Sequence, residues 1–232
     1  MEYDVIIIGA GPAGYVAAIR AGQVGLKTAL IEKSQIGGMC LNWGCIPSKA
    51  IIESGRLYKR IKNDAPIFGI EGIDRMKLTF NWKIANDRAM SVVKKLTNGV
   101  SYLLKKNGVE VIQGTARITS SNSVTVDNRN ISAKNIIIAT GSYHEPLKAA
   151  LPKEKVLELY NLYKLDELPR NIVVVGESSI AVELAQFFAM VDRNVTLLVP
   201  DDRIMPLADD YLANYMVGRL KKDKIDVIFD AA

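Results

Sequence analysis

Two stretches of this chain repeat one another's layout, and no other feature restricts the fold as tightly. Val5-Ile6-Ile7-Ile8 runs into Gly9-Ala10-Gly11-Pro12-Ala13-Gly14, then an alanine-rich helical stretch to about Val24, then a strand from Thr28 to Ile31 closed by Glu32. Ile172-Val173-Val174-Val175 runs into Gly176-Glu177-Ser178-Ser179-Ile180-Ala181, a helical stretch to about Val191, and a strand from Val195 to Val199. From Gly9 to Glu32 and from Gly176 to Val199 the distance is 23 residues. A β-branched run that turns at glycine into a helix and returns as a strand is a β-α-β unit, the opening of a doubly wound parallel sheet.

The expected class is therefore α/β, with two Rossmann-like units, the chain ending before both are completed. Between them the pattern predicts helices over roughly Ile51–Lys62 and Trp82–Lys106, the second stopped by Gly108. Strands are expected over 109–118, 123–126 and 135–139, and a further helix over 209–222. The segment from Glu145 to Arg170 holds Pro146, Pro152 and Pro169 and reads as a connection, so the boundary is placed near residue 150, with domains 1–150 and 151–232.

The composition, 49% hydrophobic and 24% charged, excludes a chain that is disordered throughout. Net charge is +5, but the basic residues are dispersed, in pairs such as Lys94-Lys95, Lys105-Lys106 and Lys221-Lys222. They read as a solvated surface, so no nucleic-acid partner is expected. The run from Val5 to Ala10 is too short to span a membrane, and Glu2 and Asp4 stand where a secretory leader would be basic, so a cytoplasmic address without membrane attachment is expected.

The first glycine motif carries a chemical expectation. Gly9 permits the tight turn, Gly11 lets backbone approach a pyrophosphate, and Gly14 lets helix and strand pack closely. Pro12 and Ala13 open the helix, whose free N–H groups attract an anion. Glu32 is placed to accept hydrogen bonds from a ribose diol.

The only two cysteines follow almost at once, in Gly37-Gly38-Met39-Cys40-Leu41-Asn42-Trp43-Gly44-Cys45-Ile46-Pro47-Ser48-Lys49. Cysteines five apart can bridge if the chain bends, and Gly44 favours a bend. Pro47 suits a first helical turn, which puts Cys45 at a helix N-terminus, where a thiolate is stabilised; Lys49 adds positive charge. Such a pair can cycle between disulfide and dithiol. A zinc site and an inert structural bridge are the alternatives, the first opposed by the presence of a single histidine, His144. His144 itself reads as an ordinary surface residue, and no metal is expected.

This segment, directly behind a dinucleotide fingerprint, closely resembles the redox-active disulfide segment of the class I pyridine nucleotide–disulfide oxidoreductases. Its Ile46-Pro47-Ser48-Lys49 is similar to the dihydrolipoamide dehydrogenase branch, where glutathione and trypanothione reductases typically read Val-Pro-Lys-Lys. The resemblance extends over nearly all 232 residues. It implies FAD across Gly9, Gly11, Gly14, Glu32, Lys33, Gly37 and Gly38, with Ala116 approaching the adenine side and Thr140-Gly141-Ser142 closing over the cofactor. It implies that Cys45 is the flavin-proximal thiol, Cys40 the interchange thiol, and Lys49 a charge near the flavin ring. It implies a dithiol or disulfide substrate, small or carried on a lipoyl domain, and a homodimer. The domain to residue 150 would then hold FAD and the rest NAD. In this family a histidine–glutamate pair near the C-terminus serves as acid and base, and it lies outside these residues. Another disulfide reductase or a mercuric reductase of the family, or a truncated FAD-binding module, are the competing readings.

The second fingerprint departs from the pattern. Gly176 is retained, Ser178 stands at the second glycine position and Ala181 at the third, with Ser179 and Ile180 between. Val199 replaces the acid expected at the end of the following strand, although Asp201 and Asp202 are close in sequence. Glu183 matches a family glutamate on the nicotinamide side. NAD is therefore expected there, with weaker or unusual affinity.

Overall fold

The computed structural model describes residues 2–143, 147 and 151–231. The chain divides into two compact units, one of residues 1–47 with 89–164 and one of residues 48–88 with 165–232. The sequence pattern predicts one boundary near residue 150. The units instead interleave, with crossings at 47/48, 88/89 and 164/165.

The first unit is built on a six-stranded sheet. Its strands are β1 (Tyr3–Ile8), β2 (Thr28–Glu32), β3 (Glu110–Gln113), β4 (Ala116–Ser120), β5 (Ser123–Val126) and β6 (Arg129–Ile138), in the order β3-β2-β1-β6-β5-β4. β3, β2, β1 and β6 run parallel, while β4, β5 and the start of β6 form an antiparallel meander. β1 is central, and a strand covered on both faces needs an unbroken apolar run. Val5 and Ile7 point into a cluster with Ala18, Leu30, Leu41, Val100 and Leu104. Ile6 and Ile8 point the other way, to Ala29, Ile31, Val124, Ile131 and Ala133. The alternation is the period of two that a strand imposes.

The expected strand over 109–118 is two strands. Gly114 divides them, with φ +151°, its N–H donating to the Glu32 carbonyl at 2.9 Å. β3 pairs with β2 and β4 with β5, so the break sends one apolar run to two places in the sheet. The strand expected over 135–139 begins earlier, at Arg129, because its first residues pair with β5 and its later ones with β1.

Helix α1 (Pro12–Gln23) follows its predicted place, α2 (Gly38–Asn42) is a short helix that the sequence pattern does not predict, and α3 (Cys45–Asp64) and α4 (Trp82–Lys106) match the predicted spans, α3 starting six residues sooner, at Cys45. A short helix, α5 (Leu159–Leu162), lies in the expected connection. Among the described residues no helix is long and apolar enough to cross a membrane.

The second unit carries three parallel strands, β7 (Asn171–Val175), β8 (Asn194–Leu198) and β9 (Asp226–Ile228), in that order. Helix α6 (Ser179–Met190) buries Ala181, Val182, Ala185, Phe187 and Phe188, and α7 (Asp210–Lys222) buries Ala213 and Leu220. Phe187 is fully buried and gathers Phe80, Trp82 and Phe188 at ring separations of 6.1, 6.1 and 5.3 Å. Gly55 in α3 allows this, since a Cβ there would lie 3.1 Å from the Phe187 ring.

Asp192 closes the turn after α6 at φ +62° and accepts hydrogen bonds from Tyr58 Oη at 2.5 Å and Lys62 Nζ at 2.6 Å, both on α3. Partial burial works against its charge, but the hydrogen bonds from Lys62 and Tyr58 outweigh it and hold the carboxyl below the usual carboxylate range. A depressed folded-state pKa contributes stability that is present above the unfolded value, near 4, and is lost as pH falls through the folded value. Asp192→Asn keeps a side chain tolerant of positive φ and removes the charge. Urea titrations should show the wild type losing stability relative to Asp192→Asn below about pH 4.

Candidate active site

The first unit brings the fingerprint glycines and the disulfide segment together through backbone. Gly9 turns at φ +102°, and a Cβ there would lie 2.3 Å from the Ala139 carbonyl oxygen. At Gly14 a Cβ would lie 1.7 Å from the Gly9 carbonyl oxygen. The glycine pattern thus lets α1 start directly on the end of β1, with Ala139 behind it.

Gly11 caps α1 and offers no side chain to the first-turn N–H groups, and Pro12 follows within the first turn. No side chain of the cap competes for these donors, which suits an anion. Gly38 packs against this turn: its φ is +58°, and a Cβ would lie 2.7 Å from Gly11 Cα. The Gly37 N–H donates to the Ala10 carbonyl at 2.8 Å. The sequence assigned Gly11 and Gly38 separately to a cofactor; their contact with each other was not foreseen, since neither residue signals a neighbour 27 positions away.

Glu32 ends β2 with its carboxylate buried. Oε2 accepts from the Ala10 N–H at 2.7 Å and Oε1 from the Ser34 N–H at 2.8 Å. It therefore braces the fingerprint turn, a role beyond the ribose contact expected of it. Lys33 is exposed, and its ammonium donates to the Tyr143 hydroxyl and lies 4.9 Å from that ring's centre. Thr140, Gly141 and Ser142 leave the end of β6 as exposed loop, beside Gly9 at Thr140. Ala116 opens β4, half-buried against the second apolar cluster. His144 lies outside the described residues.

Cys40 and Cys45 are bridged, with their Cα atoms 4.6 Å apart. The bend is made by α2 and by Gly44, whose N–H and that of Trp43 both donate to the Met39 carbonyl, at 2.7 and 3.0 Å. A Cβ at Gly44 would lie 2.9 Å from that oxygen. Asn42 Nδ2 ties the turn to the carbonyls of Ile36 and Gly38. Leu41 anchors it in the core, Cys40 is half-buried, and Cys45 is exposed at the first residue of α3, as its Pro47 suggested.

In the second unit Lys49 Nζ and Glu183 Oε2 meet at 2.5 Å, their side chains 61% and 37% exposed. Both were singled out in sequence, but not as a pair; 134 positions separate them. An ion pair this exposed adds little stability, so its value lies in fixing where the charges sit. At the second fingerprint, Gly176 turns at φ +140° and Ser178 caps α6, its hydroxyl accepting from the Ala181 N–H at 3.4 Å. Ser179 and Ile180 are exposed, and Val199 is fully buried, so it is placed for packing. Glu177 in this turn hydrogen-bonds Asp201 beyond β8, which raises the Glu177 carboxyl above its ordinary range. An open concavity of about 510 Å³ beside Ile36, Lys105, Val109 and Glu110 includes none of the predicted residues.

Four parallel strands, a glycine turn without a side-chain cap and a disulfide segment fastened to that turn define a Rossmann-like, disulfide-bearing protein. A profile of the pyridine nucleotide-disulphide oxidoreductases matches residues 3–232, and the chain belongs to that family. It is 40% identical to a dihydrolipoyl dehydrogenase of Acholeplasma laidlawii, over 99% of this chain and 69% of that protein. It is 40% identical to one of Bacillus subtilis (strain 168), over 96% of this chain and 47% of that protein. A solved structure, the HOCl-induced flavoprotein disulfide reductase RclA from Escherichia coli, superposes with a TM-score of 0.82 at 28% identity, over 99% of this chain and 49% of that one. The chain thus spans about half the length of most of the relatives it matches.

The Gly11–Gly38 contact is directly testable. Gly25 also has positive φ, +82°, but nothing lies within 4 Å of a Cβ there. Gly38→Ala should lower urea-unfolding stability by about 1–2 kcal/mol more than Gly25→Ala, because it adds a backbone clash to the same conformational cost.

Proposed function

We propose that this chain carries the cofactor and disulfide machinery of a dihydrolipoamide dehydrogenase-like enzyme. It would pass electrons between a dithiol, the Cys40–Cys45 bridge, FAD and NAD. The observation that supports this most is the attachment of the bridged segment to the uncapped fingerprint turn, through the Gly37 N–H and the Gly11–Gly38 contact.

The residues present fit FAD. The turn of Gly9, Gly11, Pro12, Ala13 and Gly14 leaves first-turn N–H groups without a side-chain cap, and Glu32 stands at the end of the neighbouring strand. Lys33, Gly37, Gly38, Ala116, Thr140, Gly141 and Ser142 would complete its surroundings. FAD, when bound, supplies the two-electron acceptor for the reduced cysteines.

The chain's own step is thiol–disulfide exchange. A substrate thiolate attacks Cys40 Sγ, breaks the bond to Cys45, and leaves Cys45 as thiolate. The second substrate thiolate then attacks the substrate sulfur bound to Cys40. The substrate leaves as a disulfide, both cysteines are reduced, and the two substrate protons go to solvent or a base. Cys45, at the start of α3, would be stabilised as thiolate by the helix N-terminus, and Lys49, one turn along, would add positive charge to the extent that its ion pair with Glu183 opens. The substrate would be a small dithiol or a lipoyl group on a protein domain, and the whole protein a cytoplasmic homodimer.

NAD fits less completely. Gly176, Ser178, Ser179, Ile180, Glu183 and Val199 occupy the corresponding positions, but the Ser178 hydroxyl takes one of the donors that a phosphate would use. This favours weak nucleotide binding as a second reading, that of a module which holds FAD alone.

Purified protein reconstituted with FAD should gain long-wavelength absorbance on two-electron reduction. Cys45→Ser should lose that absorbance while retaining the flavin, and Cys40→Ser, which has no bridge to reduce, should show it before any reductant is added; survival of the band in Cys45→Ser would sink the assignment. Ser178→Gly, which costs the helix only a few tenths of a kcal/mol, should tighten NAD⁺ binding roughly two- to tenfold in a calorimetric titration. No change would mean that the hydroxyl is not what limits affinity.

A further inference from the structure

Tyr143 has no part in the roles assigned so far, yet it makes a specific contact over the fingerprint. Sheet order places β1 between β2 and β6. Lys33 is the first residue beyond β2, and Tyr143 lies five residues beyond the end of β6. The bond from the Lys33 ammonium to the Tyr143 hydroxyl therefore crosses the carboxyl end of β1, where the chain turns at Gly9 into α1. In doubly wound sheets this end is where a dinucleotide enters.

One interaction holds the pair: the hydroxyl accepts a charge-assisted hydrogen bond from the ammonium, which sits at the hydroxyl edge of the ring and leaves both ring faces open. The hydrogen bond to Tyr143 is the main reason that the Lys33 pKa is raised, so the cation persists at any physiological pH. Tyr143 itself is 82% exposed and belongs to neither apolar cluster of this unit, so among the described residues the fold has little use for it. An exposed aromatic ring pinned by a lysine across a ligand entrance is better explained by what passes beneath it.

We propose that Tyr143 is a cofactor-retaining residue: it holds Lys33 across the crevice mouth and closes the adenosine side of the bound dinucleotide. The adenosine side is indicated because Lys33 follows Glu32, whose carboxylate lies next to the fingerprint backbone at the end of β2. The phenol ring offers a flat apolar face to a purine or ribose, and the ammonium offers charge to the phosphates. Both must move aside for the ligand to leave, so the contact acts on the release rate.

This inference rests on the FAD reading above, and one experiment separates the two. FAD release from reconstituted protein is followed by the recovery of free-flavin fluorescence after dilution, for wild type, Tyr143→Phe, Tyr143→Ala, Lys33→Met and the double variant Lys33→Met/Tyr143→Ala. Tyr143→Ala should release FAD about fivefold faster, the size of one exposed hydrogen bond. Tyr143→Phe should fall between it and wild type, and the double variant should match the faster single variant. Melting of the FAD-free proteins should be unchanged, because the residue is exposed. Release from Tyr143→Ala at the wild-type rate would overturn the clasp while leaving the FAD reading intact. A lowered melting temperature in FAD-free Tyr143→Ala would also overturn it, by showing a structural role. A wild type that takes up no FAD would overturn both.

Discussion

The rest of the first unit depends on two peptide segments being able to touch without side chains between them. Gly11 and Gly38 approach so closely that a single methyl on Gly38 would strike the Gly11 backbone, and the Gly37 N–H donates to the Ala10 carbonyl across the same junction. Contact of this kind is short-ranged and rigid, and it fixes the start of the disulfide segment on the turn that opens α1. Glu32 braces the turn from the other side by accepting from the Ala10 N–H. Ala10 thus binds a neighbour through both its N–H and its C=O. That double attachment satisfies buried backbone groups which would otherwise be costly.

Local features of the chain were legible in the sequence, and distant pairings were not. The first β-α-β unit, the bridge between Cys40 and Cys45, and the placement of Cys45 at a helix start all follow from chemistry within a few residues of each other. The split at Gly114 was missed because it is caused by the carbonyl of Glu32, 82 positions away. The pairing of Lys49 with Glu183 was missed for the same reason. The interleaving of the two units escaped because α3 and α4 show only that each has an apolar face. Periodicity does not say which core that face enters.

The two β-α-β units show how one layout can be tuned differently. In the first, a glycine caps the helix and leaves the donors of the opening turn to whatever binds there. In the second, Ser178 uses its own hydroxyl to satisfy the Ala181 N–H, and a buried valine stands where a carboxylate would reach outward. The second helix is therefore better finished as a piece of protein and less open as a receptor. Stability and readiness to bind draw on the same backbone groups, and the two repeats divide them in opposite ways.

The turn between the cysteines has a kinetic consequence. The bonds from the Trp43 and Gly44 amides to the Met39 carbonyl, and those from the Asn42 amide, do not involve sulfur. Cutting the sulfur–sulfur link would leave the scaffold standing, with each thiol still facing its former mate at an effective molarity far above that of any free thiol in solution. A foreign thiol captured on one sulfur as a mixed disulfide would be expelled as its thiolate by the other, reforming the bridge, before a passing thiol could intervene. The segment would then behave as a self-clearing trap, open to brief exchange and resistant to lasting mixed disulfides.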